Sequence, residues 1–166
     1  MTIQNFETER LNVCHWGAVL PDPERREELE RNLRVLLSPA VLAPLPPSMQ
    51  LDRSATPHRW IEDRNAESDV YSVVTKADNK LIGLLILAFT DARTVHLGYL
   101  LAEESWGKGY ASELVQGLAV ASASHLLVGG VATDNPASAR VLIKAGFEMD
   151  AKQCTLETVI YVNDLR

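Results

Sequence analysis

The sequence predicts an α/β (α+β) fold in which an antiparallel sheet is flanked by helices. Three observations predict it. Between residues 70 and 101, three apolar, β-branched segments follow one another with only short turns between them, the pattern of an antiparallel meander. Ahead of that block, apolar residues recur at helical spacing. Beyond residue 104, helical and strand-like segments alternate to the end of the chain.

The first helix opens at Asp22-Pro23, where the aspartate caps free N–H groups and proline gives up a donor that has no partner at the first helical position. Leu29, Leu33, Leu36 and Leu37 make its apolar face, Glu27/Arg31 and Glu30/Arg34 stand one turn apart on its solvent side, and Ser38-Pro39 ends it. Five prolines from Pro39 to Pro57 forbid long regular structure and imply a connection of fixed shape with room for one short helical turn. Thr56-Pro57 opens a second helix carrying Trp60, Ile61 and Arg64. Strands follow at 70–75, at 81–89, which is apolar enough to be buried on both faces, and at 95–101. Ala111, Leu114, Val115, Leu118 and Ala119 then fall on one face of a helix. A strand at 126–133 leads to a helix opened by Asn135-Pro136 and closed at Gly146, and Phe147 and residues 155–162 supply the last strands.

Composition narrows the function. The 166 residues, 46% hydrophobic and 23% charged, are read as one domain (1–166) with a core large enough to do without disulfides or metal. The net charge of −6 argues against a nucleic-acid partner, because phosphate backbones require a basic face, while it tolerates a cationic amine. Cys14 and Cys154 have no metal-ligand or redox spacing and are expected to be free, buried thiols. His15, His58 and His125 likewise form no metal-like spacing. The stretch MTIQNFETERL has no apolar core of signal-peptide length and the longest apolar run, 81–89, is too short to span a bilayer, so the expected protein is soluble and cytoplasmic, with no membrane partner.

The stretch ESWGKGYASELV (104–115) concentrates backbone freedom between a strand and a helix. Such a turn directs unpaired N–H groups into one concavity, where the helix dipole also favours an anion. Gly107 and Gly109 supply unusual dihedrals and close approach, and Lys108 adds a mobile positive charge. The plain alternative is a tight turn with a solvated lysine. Neither GxxxxGK[ST] nor GxGxxG is present.

WGKGYA (106–111) resembles the acyl-CoA signature of the GNAT acetyltransferases, with Trp106 in place of the usual Gln or Arg. That substitution is similar to the branch of ribosomal-protein N-terminal (alanine/serine) acetyltransferases. TERL (8–11) resembles the family's opening strand, HLGYLL (96–101) its coenzyme-carrying strand, and NPASARVLIKAGF (135–147) its block ending in K-x-G-F. The resemblance implies a mixed, mostly antiparallel sheet with a splayed strand pair. The pantetheine arm of acetyl-CoA would lie in that gap on backbone groups of Tyr99, Leu100 and Leu101, and the pyrophosphate on Trp106, Gly107, Lys108, Gly109, Tyr110, Ala111 and Ser112.

The resemblance also bears on the reaction, acetyl transfer from acetyl-CoA to a primary amine, of a protein N-terminus or a small molecule, by direct attack in a ternary complex. Where look-alikes commonly place a glutamate base, this chain has His96, and an imidazole can do the same work; the alternative is a strand histidine satisfied by a backbone partner. Glu103 and Glu104 remain candidates for that role. Ser138 could protonate the departing thiolate or face solvent. Asn135 could serve as helix cap and as pantetheine contact. Arg140 and Lys144 answer either coenzyme phosphates or the helix dipole, the latter being the favoured reading. No metal is implied. The acceptor side is assigned to residues 39–57 and the helix around Trp60. A homodimer paired through the last strand and a monomer with that strand at its edge both fit the pattern. The alternative function is an acyl-CoA-binding sensor or scaffold without turnover.

Overall fold

The computed structural model describes residues 2–45 and 56–164. Residues 46–55 of the proline-rich connection, expected on the acceptor side, lie outside the described residues. The chain opens with a hairpin of β1 (Phe6–Glu7) and β2 (Leu11–His15) and a 3-10 turn at Trp16–Ala18. Helix α1 (Pro23–Leu36) starts where Asp22 accepts hydrogen bonds from the N–H groups of Glu24 and Arg25, at 3.0 and 3.3 Å. The short α2 (Pro39–Leu42) and α3 (Pro57–Glu67) repeat the device with Ser38 and Thr56 as caps and proline in the first turn.

Strands β3 (Asp69–Thr75), β4 (Leu81–Phe89) and β5 (Thr94–Leu101) form the meander. Then come α4 (Tyr110–Ala121), β6 (Leu126–Ala132), α5 (Pro136–Lys144), β7 (Glu148–Met149) and β8 (Thr158–Asp164). The strands make one sheet in the order β1-β2-β3-β4-β5-β6-β8-β7. Every neighbouring pair is antiparallel except β5 and β6.

Alternation along the strands gives the sheet two apolar faces. Tyr71, Val73, Leu85, Leu87, Val95 and Leu101 pack with Leu114 and Leu118 of α4 and Leu142 of α5. Val70, Leu84, Ile86 and Leu100 pack on the other side with Trp16, Leu33 of α1 and Trp60 and Ile61 of α3. Burying each such leucine is worth on the order of 1.5–3 kcal/mol, and the two layers hold β3, β4 and β5 as a rigid base on which the glycine turn and α4 are mounted.

The parallel pair is short. Thr94–Leu97 of β5 match Leu126–Gly129 of β6, and there the pairing stops, although β5 runs on to Leu101 and β6 to Ala132. Each strand is committed on its other side, β5 to β4 and β6 to β8. The two therefore part, and residues 98–101 border a gap instead of a neighbour.

Four expectations change. TERL is mostly not a strand: the Thr8 N–H donates to the Leu11 carbonyl at 2.9 Å, so Thr8, Glu9 and Arg10 are the turn between β1 and β2, and only Leu11 belongs to β2. Glu30 does not pair with Arg34; it faces Arg26 at 3.6 Å and His58 of α3 at 3.0 Å, because a cation across the helix interface competes with one on the same helix. The last strand is not the edge of the sheet, since β8 lies between β6 and β7, and β7 pairs with it at Tyr161 and Val162. Cys14 and Cys154 are free but half-buried.

Candidate active site

The phase of the β4–β5 ladder decides which backbone groups meet the gap. In an antiparallel ladder, residues that exchange hydrogen bonds alternate with residues that point away. Ala102 donates to the Ile82 carbonyl at 2.7 Å and Thr90 to the Thr94 carbonyl at 3.1 Å. Even-numbered β5 residues therefore turn their backbone groups to β4. Leu100 belongs to that set, whereas Tyr99 and Leu101 present theirs to the gap. One of these is already engaged: the Trp106 indole N–H donates to the Leu101 carbonyl at 2.9 Å, although the side chain is 49% exposed.

Beyond β5, a 3-10 turn at Glu103–Ser105 leads to the glycine turn. Gly107 and Gly109 have φ of 72° and 81°, a region that costs a side chain roughly 1–2 kcal/mol. The space around Gly107 is open, since a Cβ there would meet nothing within 4 Å, so backbone conformation rather than crowding calls for glycine. The first bond of α4 runs from the Glu113 N–H to the Gly109 carbonyl at 3.1 Å, and no side chain caps the helix. The N–H groups of Tyr110, Ala111 and Ser112 consequently have no intrahelical acceptor and stand at the positive end of the dipole. Lys108 is exposed beside them.

Across the gap, Asn135 caps α5 by accepting from the Ser138 N–H at 3.3 Å. Ser138 is half-buried rather than facing solvent, and its hydroxyl accepts a long hydrogen bond of 3.5 Å from the Tyr99 hydroxyl. Burial pushes the Tyr99 pKa above its ordinary value, partly offset by the link to Ser138. The Tyr99 side chain is thus a further polar group at the gap, one that a pattern of strand residues does not reveal. Arg140 and Lys144 are exposed on α5, with Lys144 in its last turn.

His96 lies on the opposite face. It shares the parity of Leu100, which packs against α1 and α3, so His96 and Ser138 are brought to the two sides of β5 and not into contact. The imidazole is exposed and has no hydrogen bond or ion pair among the described residues, which removes the reading of a histidine satisfied by a backbone partner. A Cβ on Gly98, two residues along the same face, would meet nothing within 4 Å. Further along that face, Val35, Ser38, Ala102, Glu103 and Glu104 line a pocket of about 410 Å³. The Glu104 carboxyl is held below its ordinary pKa by the hydrogen bond and charge of Lys80, with Lys108 adding to it, so it is a poor base. Trp16 and Trp60 are core residues on this side, 6.5 Å apart in an edge-on contact.

Arg10, quoted in the sequence only as part of TERL, reaches the glycine turn. Its Nε donates to Glu113 at 2.8 Å and its Nη1 to the Lys108 carbonyl at 3.0 Å. The opposite charges of Arg10 and Glu113, each inside a quoted motif, were the available signal. Among the described residues no group of His, Cys, Asp and Glu is arranged to hold a metal ion, and no helix is long and apolar enough to cross a membrane.

The fold has counterparts among solved structures. A GNAT-family acetyltransferase from Bacillus anthracis superposes with a TM-score of 0.74 at 17% identity, covering 98% of this chain and 99% of that one. A ribosomal-protein α-N-acetyltransferase solved with coenzyme A gives 0.69 at 15%, covering 98% of each. A ribosomal-protein-alanine acetyltransferase from Vibrio fischeri gives 0.63 at 21%, covering 96% of each. No curated protein matches the sequence. The model of the acetyltransferase (GNAT) domain matches residues 18–148. With that match spanning most of the chain, and a splayed strand pair opening onto a glycine turn, the chain belongs to the GNAT acetyltransferase family.

Proposed function

We propose that the protein transfers an acetyl group from acetyl-CoA to a primary amine, of a protein N-terminus or a small molecule, by direct attack within a ternary complex. The observation that carries this reading is the continuity of free backbone donors from Tyr99 and Leu101 in the gap to Tyr110, Ala111 and Ser112 at the start of α4. The first group suits the amides of a pantetheine arm, added to β5 like another strand. The second suits a pyrophosphate. The coenzyme-bound neighbour and the ribosomal-protein acetyltransferases support the donor and favour an N-terminal amine as acceptor.

On this reading the amine approaches from the His96 side, over the open surface at Gly98. His96 takes the proton released as nitrogen bonds to the thioester carbon. A backbone N–H in the gap stabilises the oxygen as it becomes negative. The carbon–sulfur bond then breaks, and the leaving sulfur receives a hydrogen bond from the hydroxyl pair of Tyr99 and Ser138 on the other side. Glu103, which lines the neighbouring pocket beside the Lys80-paired Glu104, draws a cationic amine towards this face.

The test is a calorimetric titration with acetyl-CoA of the parent and of Gly109→Glu, which puts a carboxylate where the pyrophosphate would lie, followed by a screen of amino-terminal peptides and small amines. Micromolar binding lost in the variant is expected, with turnover on at least one amine class. A parent that does not bind acetyl-CoA would refute the reading.

A further inference from the structure

The turn between β1 and β2 reaches across to the glycine turn at the start of α4, nearly a hundred residues away in sequence. The Arg10 guanidinium makes the link with three nitrogens. Nε donates to Glu113 Oε1 at 2.8 Å, Nη1 donates to the Lys108 carbonyl at 3.0 Å, and Nη2 lies 3.4 Å from the point where a Cβ on Gly109 would stand. Its central carbon is 4.2 Å from the centroid of the Tyr110 ring. Glu113 is saturated in return: Oε2 accepts from the Arg10 backbone N–H at 2.9 Å and from the Thr8 hydroxyl.

Peptide planarity makes the bond to Lys108 consequential. In a trans peptide the carbonyl and the following N–H point in opposite directions, and the chain has no cis peptide bond among the described residues. Holding the Lys108 carbonyl against Arg10 therefore turns the Gly109 N–H the other way, off the guanidinium and towards the open side of the turn. The left-handed φ of 81° at Gly109 belongs to the same arrangement. The charge of Glu113 matters as well. A carboxylate in the first turn of α4 repels an anion bound at that helix start, and the ion pair with Arg10 neutralises it at short range.

We infer that Arg10 is a positioning residue for coenzyme binding: it sets the Lys108–Gly109 peptide in the orientation that offers its N–H to a pyrophosphate and cancels the Glu113 charge beside it. This rests on the acetyl-CoA reading above and adds a residue that neither the glycine turn nor its helix contains. It also gives the β1–β2 turn a role other than that of an edge strand.

The experiment compares Arg10→Ala and Arg10→Lys with the parent, using acetyl-CoA and acetylpantetheine, a donor without pyrophosphate, and an amine that the parent acetylates. Arg10→Ala is expected to raise the KM for acetyl-CoA about tenfold, the equivalent of one lost charge-assisted hydrogen bond, with kcat at saturation and kcat/KM for acetylpantetheine within twofold of the parent. Arg10→Lys keeps the charge but loses the fork that spans Glu113 and Lys108, and should recover only part of the acetyl-CoA KM. It also serves if the alanine variant does not fold, with thermal melts confirming a native-like transition. Equal losses with both donors, or an unchanged acetyl-CoA KM in a folded variant, would overturn the inference. A parent that binds no acetyl-CoA would instead remove the reading on which it rests.

Discussion

The two faces of strand β5 are built from different materials. On the α4 and α5 side the site consists mainly of backbone: the groups of Tyr99 and Leu101 left over where β6 departs, and the first N–H groups of α4. On the α1 and α3 side it consists of side chains and empty space: an unpaired His96, the bare surface at Gly98, and a pocket with Glu103 and Glu104 at its rim. A backbone surface recognises a ligand that never changes, and its chemistry survives wide variation in sequence. A side-chain surface can be rewritten residue by residue. The proposed function uses that contrast by placing the constant donor on one face and the variable acceptor on the other.

The contrast can be broken most severely at His96. His96→Ala should lower kcat by about 10²–10⁴-fold, the usual range for a removed general base, while calorimetry gives an acetyl-CoA affinity within twofold of the parent. Weakened coenzyme binding would place the imidazole on the donor side instead. Next in size is Gly98→Val, which puts a side chain on the open surface, where its Cβ would meet nothing within 4 Å. The KM for the amine should rise roughly tenfold, about the 1.4 kcal/mol that one obstructed contact represents, with the acetyl-CoA KM unchanged.

Tyr99→Phe probes the other face and should cost roughly two- to tenfold in kcat, the worth of one ordinary hydrogen bond. Because burial raises the Tyr99 pKa, the hydroxyl stays protonated as pH rises past its usual value. The parent's kcat should therefore show no descending limb below about pH 10 that Tyr99→Phe abolishes; finding one would mean that the hydroxyl ionises early. The smallest effect concerns stability. Burial pushes the Glu113 carboxyl up, but hydrogen bonds from Thr8 and Arg10, together with the Arg10 charge, outweigh it and leave the pKa below its ordinary 4.5. A depressed carboxylate stabilises the fold above its unfolded pKa, and that contribution disappears as pH falls through the folded value. Glu113→Gln should thus cost about 1 kcal/mol at pH 7, limited by solvent at the 41% exposed Arg10, and the cost should shrink as pH falls from 7 through the folded value. Denaturant melts of both proteins across that range make the comparison.

The same contrast explains what was legible in the sequence. Asp22, Thr56 and Asn135 each cap a helix beside a proline, and Gly107 and Gly109 adopt positive φ, because these choices are decided within a few residues. The helix starts and the glycine turn could be read from such local signals. The assignment of Leu100 to the gap failed by one residue, since the phase of a ladder depends on its partner strand and not on its own sequence. TERL and Glu30 were misread for a related reason, as their partners lie across tertiary contacts in α4 and α3. The His96 face combines exposed side chains with neighbours brought together only by the fold, so no short motif announces it.

The tie between Trp106 and Leu101 has an optical consequence. The chain has three tryptophans. Two of them, Trp16 and Trp60, are sealed in the core, whereas Trp106 is half-exposed at the mouth of the gap with its indole N–H on a β5 carbonyl. Excited indole responds strongly to its surroundings, so a ligand entering the gap should move the emission of this residue and leave the other two as a constant background. The protein carries its own fluorescent gauge of occupancy, and Trp106→Phe would erase the signal.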